Sequence, residues 1–127
     1  MISYVTYKII HYVGIFTMIS ALAAFIAMTA SSGTPLVRVP WAKRLVIAHG
    51  AGLFLILLGG FGMLARLDIT HQLGGLPGWI WAKLALWTVL GVGITLAKRR
   101  PEWSGTLLVL TPILAFLAGT AALTKPF

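Results

Sequence analysis

GWIWAKLALWTVLGVGITLAKRR, residues 78–100, is a run of mostly apolar side chains closed by a basic triplet. At 1.5 Å per residue, about 20 such residues in a helix span a hydrocarbon core about 30 Å thick, so the stretch reads as a membrane crossing. One residue breaks the pattern: Lys83, less than two turns inside the run. Placing a lysine at the centre of a bilayer helix costs about 2.5–3.5 kcal/mol, which makes an intramembrane amine a functional candidate by default. Helical spacing puts Trp79, Lys83 and Trp87 on one face, a cation between two indoles. In the competing reading, the four-carbon stem simply carries the ammonium back to the interface.

The rest of the chain extends this reading. With 59% hydrophobic and only 9% charged residues in 127, there is too little polar side-chain surface for a soluble domain. Four apolar segments consume nearly the whole length, so the expected fold is all-α: an integral membrane four-helix bundle, one transmembrane domain over 1–127 with helices at about 4–30, 42–67, 77–98 and 103–124. Ten Lys and Arg face only Asp68 and Glu102, a formal charge of +8. The cations cluster at segment ends, where they set topology and meet anionic lipid, and no nucleic-acid partner is expected. Cysteine is absent, which excludes disulfides, thiolate catalysis, iron–sulfur ligation and covalent c-type haem.

The first segment is too long for the apolar region of a signal peptide and reads as a membrane helix. His11 lies about two turns in, preceded by Lys8 and followed on its face by Gly14, Ile15 and Met18. Ala21, Ala23, Ala24 and Ala27 on the other sides permit close helix approach. In the second helix His49, Gly52, Ile56, Gly59, Gly60 and Met63 share a face, which suits either a flat ligand or a neighbouring backbone. His71 falls in the polar connection DITHQLGGLP, residues 68–77, beside the start of the third helix. Thr111-Pro112 predicts a mild kink in the fourth helix.

Arg38, Lys43 and Arg44 near the first connection and Lys98, Arg99 and Arg100 near the third predict a multi-pass protein of the bacterial inner membrane with both termini outside the cytoplasm. His11 and Lys83 then share a level roughly 9 Å below the outer boundary, with Met63 in reach and His71 just above. His49 enters from the cytoplasmic side, roughly 10 Å from the inner boundary.

A haem in a helical bundle needs one or two axial ligands, an apolar slot and cations for its propionates. His11 is the candidate axial ligand. Lys83 is either a second ligand or a propionate partner, His49 and His71 are other second-ligand candidates, and Trp79, Trp87, Gly52 and Gly59 are candidate slot walls. Copper on His11 with Met18 or Met63 is the alternative metal.

Three short motifs carry a family resemblance. Lys8-Ile9-Ile10-His11 opens the first helix, His49 precedes Leu57-Leu58-Gly59-Gly60 in the second, and Gly78-Trp79-Ile80-Trp81-Ala82-Lys83-Leu84 opens the third. In order and spacing the chain resembles a group of small four-helix membrane proteins comprising SirB-like proteins, the membrane domain of CopD-type copper resistance proteins and HemJ-type protoporphyrinogen oxidases. The resemblance to the oxidase branch implies haem binding through a first-helix histidine and a third-helix lysine, which match His11 and Lys83. The chain departs from that branch at Ile15–Phe25, IFTMISALAAF, which lacks its aromatic and arginine pattern. Haem binding is therefore expected, and protoporphyrinogen oxidation is not.

The expectation is a protein binding haem b for a redox or haem-related role, with an unidentified redox partner. It is expected to pair as a homodimer, because so short a bundle with small-residue faces gains packing by association. The alternatives are a haem-free copper or transport protein and an accessory subunit without cofactor.

Overall fold

The computed structural model describes residues 3–32, 40–67 and 75–124. They form four helices: α1 (Tyr4–Ser32), α2 (Pro40–Leu67), α3 (Gly78–Arg99) and α4 (Ser104–Thr124), each long and apolar enough to cross a membrane. Fold class and helix count match the sequence reading. Boundaries differ by a residue or two, because local capping rather than hydropathy sets the ends. Ser3 caps α1, its Oγ accepting the Thr6 N–H at 3.2 Å. Pro40 opens α2, where a missing N–H costs nothing. After α3, Pro101 starts a 3₁₀ turn through Trp103, and Ser104 Oγ donates to the Pro101 carbonyl at 2.6 Å as α4 begins.

The helices run in order around the bundle, with α1 and α3 on the short diagonal and α2 and α4 out of contact among the described residues. The most extensive pair is α1 with α2, and glycine is the reason. A Cβ at Gly52 would lie 2.6 Å from the Met18 backbone nitrogen, one at Gly59 2.5 Å from that of His11, and one at Gly14 2.7 Å from that of Ile56. Such contacts exist only because these positions lack side chains, so the two backbones meet directly, the mode of association available where lipid is as apolar as the protein. The glycine surface of α2 is thus a helix contact. Gly52 and Gly59 are not walls of a ligand slot, since α1 already occupies the space they leave.

The solid core lies toward one end, where Met18, Leu22, Phe25 and Ile26 of α1 meet Ala42 of α2 and Leu90, Ile94 and Ala97 of α3. Hydroxyls within the helices satisfy themselves: Thr29 donates to the Phe25 carbonyl, Thr111 to Leu107 and Thr88 to Leu84, each at 2.9 Å. Among the described residues no buried side-chain nitrogen or oxygen lacks a hydrogen-bond partner, as a low-dielectric surrounding demands.

Candidate functional site

Among the described residues, side-chain N–H groups of His11, His49 and Trp87 cross between helices. His11 Nδ1 donates to the Ile56 carbonyl at 2.8 Å, His49 Nε2 to the Leu90 carbonyl at 3.2 Å, and Trp87 Nε1 to the Leu53 carbonyl at 3.1 Å. Each acceptor lies within a helix and has a second lone pair for the bond. His11 therefore ties α1 to α2, while His49 and Trp87 tie α2 to α3.

The consequences for the two histidines differ. With Nδ1–H held by a backbone carbonyl, the His11 imidazole is fixed as the tautomer whose Nε2 carries the lone pair, which is how metal-binding histidines are oriented. His11 lines a cavity of about 620 Å³ at the end of the bundle opposite the solid core. That size falls within the range of about 300–1,000 Å³ typical of cofactor and small-molecule sites. His49 does not line it; the ring is 2% exposed and enclosed between α2 and α3. Its Nε2–H is held by the Leu90 carbonyl in the inter-helix seam, so the structure does not bring it to the cavity wall beside His11.

The cavity gathers most of the remaining candidates. Trp79, Lys83 and Trp87 line it from α3, Met63 and Gly60 from α2, and Met18 from α1 alongside His11. Lys83 and His11 thus face one space from opposite sides of the bundle. The Lys83 ammonium sits 5.9 Å from the centroid of the Trp79 ring, a cation–ring pair on the cavity wall. Gly60 is the one glycine of the α2 face that borders the cavity; a Cβ there would lie 3.5 Å from the His11 ring, an ordinary contact. His71 lies outside the described residues.

Several lining residues were not singled out by sequence. Lys8 and Tyr12, one helical turn apart on α1, form a second cation–ring pair at 5.9 Å, opposite Trp79 and Lys83. Tyr4 joins them at the same end. On α4, Ala115, Ala118, Gly119 and Ala122 make a flat wall at i, i+3, i+4 and i+7. That spacing is readable in LTPILAFLAGTAALT, but an apolar helix with lipid on most sides gives no hydropathy contrast to mark which stripe faces inward. Tyr4 and Leu123 both line the cavity, so α1 begins and α4 ends on the same side.

Among the described residues there is no group of three or more His, Cys, Asp or Glu side chains able to hold a metal ion. Any metal at this site would rest on His11 with softer or non-protein donors. No family model matches the chain, and no curated protein or solved structure matches it either. The site is therefore read from its own chemistry.

Proposed function

We propose that the protein binds haem b in this cavity, with His11 as an axial ligand, in a redox or haem-related role. The observation that carries the reading is a tethered imidazole on the wall of a cofactor-sized apolar cavity, with lysines on opposite sides. The donor set fits the group: Nε2 of His11 offers the lone pair, Trp79, Trp87 and the small residues of α4 offer flat apolar walls, and Lys8 and Lys83 offer cations for two propionates. Lys83 is placed either to meet a propionate or, deprotonated, to act as a second ligand. When bound, haem supplies one-electron exchange; the chain holds it, excludes water from it and sets its polarity. The match of His11 and Lys83 to the haem-linked positions of the HemJ-type branch supports the same reading.

Purification in mild detergent tests it. The preparation is expected to be red with a Soret band, His11→Ala to lose that band, and His49→Ala to keep it at lower thermal stability. Loss of haem from His49→Ala alone, with His11→Ala unchanged, would sink the site.

One observation favours a second reading, copper(I) handling: His11, Met18 and Met63 line the same cavity, an imidazole with two thioethers. A colourless protein that binds copper stoichiometrically would support it against haem.

The reading places the cavity at the outer face of a bacterial inner membrane, since Lys43, Arg44 and Lys98 to Arg100 ring the opposite end. Periplasmic activity of a reporter fused after Phe127 is the expected result, and cytoplasmic activity would invert the orientation. The partner that exchanges electrons would then approach from the outer side, and two copies would pair through exposed apolar helix faces.

A further inference from the structure

The other end of the bundle carries a site of its own. Ala42 and Ala97 lie in one buried cluster, and the ties from His49 to Leu90 and from Trp87 to Leu53 set α2 antiparallel to α3, so the first turn of α2 and the last turn of α3 fall at the same end of the seam. The residues next to them in sequence, Lys43, Arg44, Lys98, Arg99 and Arg100, are all exposed. Five cations therefore crowd one rim, where the single carboxylate among the described residues, Glu102, pairs with Arg100 at 3.6 Å. Two exposed indoles mark the headgroup level: the Arg44 guanidinium lies 5.0 Å from the Trp41 ring centroid and that of Arg100 5.4 Å from Trp103.

Below this rim α2 and α3 meet along a seam. It is closed on the inside by His49 to Leu90 and Trp87 to Leu53. Helical spacing places Lys43 and Gly50 on the α2 side of the outer seam and Lys98 and Gly91 on the α3 side. A Cβ at Gly50 would meet nothing within 4 Å, so the seam is open there, and Ile47 and Phe54, 61% and 63% exposed, border it.

We propose that this seam binds an anionic glycerophospholipid, its phosphate diester held between Lys43 and Lys98 and one acyl chain lying over Gly50. Charge and shape point to the same occupant. The rim supplies uncompensated cations at the depth where lipid phosphates sit, and basic pockets between membrane helices recognise anionic headgroups. A free phosphate would use the cations but not the apolar seam beneath them, whereas a neutral lipid would use the seam but not the cations.

Native mass spectrometry of the full-length protein with added phosphatidylglycerol, cardiolipin or phosphatidylcholine provides the test. The anionic lipids are expected to bind and phosphatidylcholine to bind at least tenfold more weakly. At about 1 kcal/mol per lysine near the surface, Lys98→Gln should weaken phosphatidylglycerol binding about fivefold and Lys43→Gln with Lys98→Gln about 25-fold. Gly50→Leu, which fills the open seam without touching charge, should also weaken it while leaving unfolding temperature in lipid-free detergent unchanged. Arg66→Gln, a charge removed at the far end of α2, should have no effect. Equal binding of charged and neutral lipids, or an Arg66→Gln effect as large as that of Lys98→Gln, would overturn the proposal. Displacement of the lipid by millimolar glycerol phosphate would overturn it too, since the site would then take the free anion. The cavity plays no part in these outcomes, so they stand apart from those of the haem reading.

Discussion

Gly59 and Gly60 are adjacent, and the structure assigns them opposite tolerances. In Gly59→Ala the new Cβ would lie 2.5 Å from the His11 nitrogen and 2.6 Å from both His11 Cβ and the Tyr7 carbonyl oxygen. Atoms at rest keep about 3.5–4.0 Å apart, so α1 and α2 must separate by roughly 1 Å. Backbone cannot yield as a side-chain tip can, and overpacking of this kind costs about 1–3 kcal/mol. The same displacement would stretch the His11 to Ile56 bond from 2.8 Å to roughly 3.8 Å, beyond hydrogen-bond range, forfeiting about 0.6 kcal/mol more. Alanine returns about 1 kcal/mol of helix propensity. The net expectation is a loss of about 0.6–2.6 kcal/mol. In Gly60→Ala the Cβ meets only the His11 ring at 3.5 Å, so the propensity gain stands nearly alone. With about 1 kcal/mol gained in the Gly60 variant, the two differ by about 1.6–3.6 kcal/mol, so reversible unfolding in mixed micelles, followed by tryptophan fluorescence, should separate them by a factor of roughly 15–400 in unfolding constant, from about 1.4 kcal/mol per decade. The Gly59 variant should also lose bound haem first, because its imidazole is no longer aimed. Equal stability of the two variants would refute the argument that backbone contact at Gly59 sets the position of His11.

The remaining expectations concern the cavity and the assembly. Lys83→Met should reduce haem retention while leaving the ligand-field bands in place; a shift toward a five-coordinate or His/Met spectrum would instead make Lys83 an axial ligand. Gly119→Phe projects a ring from an α4 position where a Cβ meets nothing within 4 Å, on the cavity wall. It should exclude cofactor with helix content unchanged, and full haem loading would place the cofactor elsewhere. Crosslinking in mild detergent should yield a dimer, whereas a monomer at every concentration would remove the pairing.

How much of this was legible depended on which physical signal each residue carried. The four crossings were, because an apolar run of bilayer length has few competing explanations, and so was the shared face of Trp79, Lys83 and Trp87, which follows from spacing alone. The meaning of the α2 glycines was not. His49, Gly52, Gly59 and Gly60 share a stripe, but only the approach of α1 divides it into a contact at Gly52 and Gly59, a cavity edge at Gly60 and a buried tie at His49. Sequence also lacked any contrast in α4, where lipid and cavity both favour small or apolar residues, so the wall of Ala115, Ala118, Gly119 and Ala122 had no signature. Lys8 was visible but read only as a neighbour of His11, since its partner Tyr12 is an unremarkable aromatic until the ring lies beneath the ammonium.

The two ends of the bundle differ for a reason that connects packing to function. Toward the basic rim, α1 fills the interior with Leu22, Phe25 and Ile26 against Leu90, Ile94 and Ala97 of α3. Toward the termini, the same helix offers His11 and Tyr4 while α4 offers mainly small residues, Ala115, Ala118, Gly119 and Ala122, so the interior stays open. Met18 and Leu90 mark the change, belonging both to the core cluster and to the cavity floor. In the hollow half the direct backbone contact at Gly59 is joined by directional bonds, the His11 tie at Ile56 and the Trp87 tie at Leu53. His11 thus has two duties: its Nδ1–H keeps α1 on α2 beside an empty space, and the same bond leaves its other nitrogen as the one with a lone pair for what enters that space.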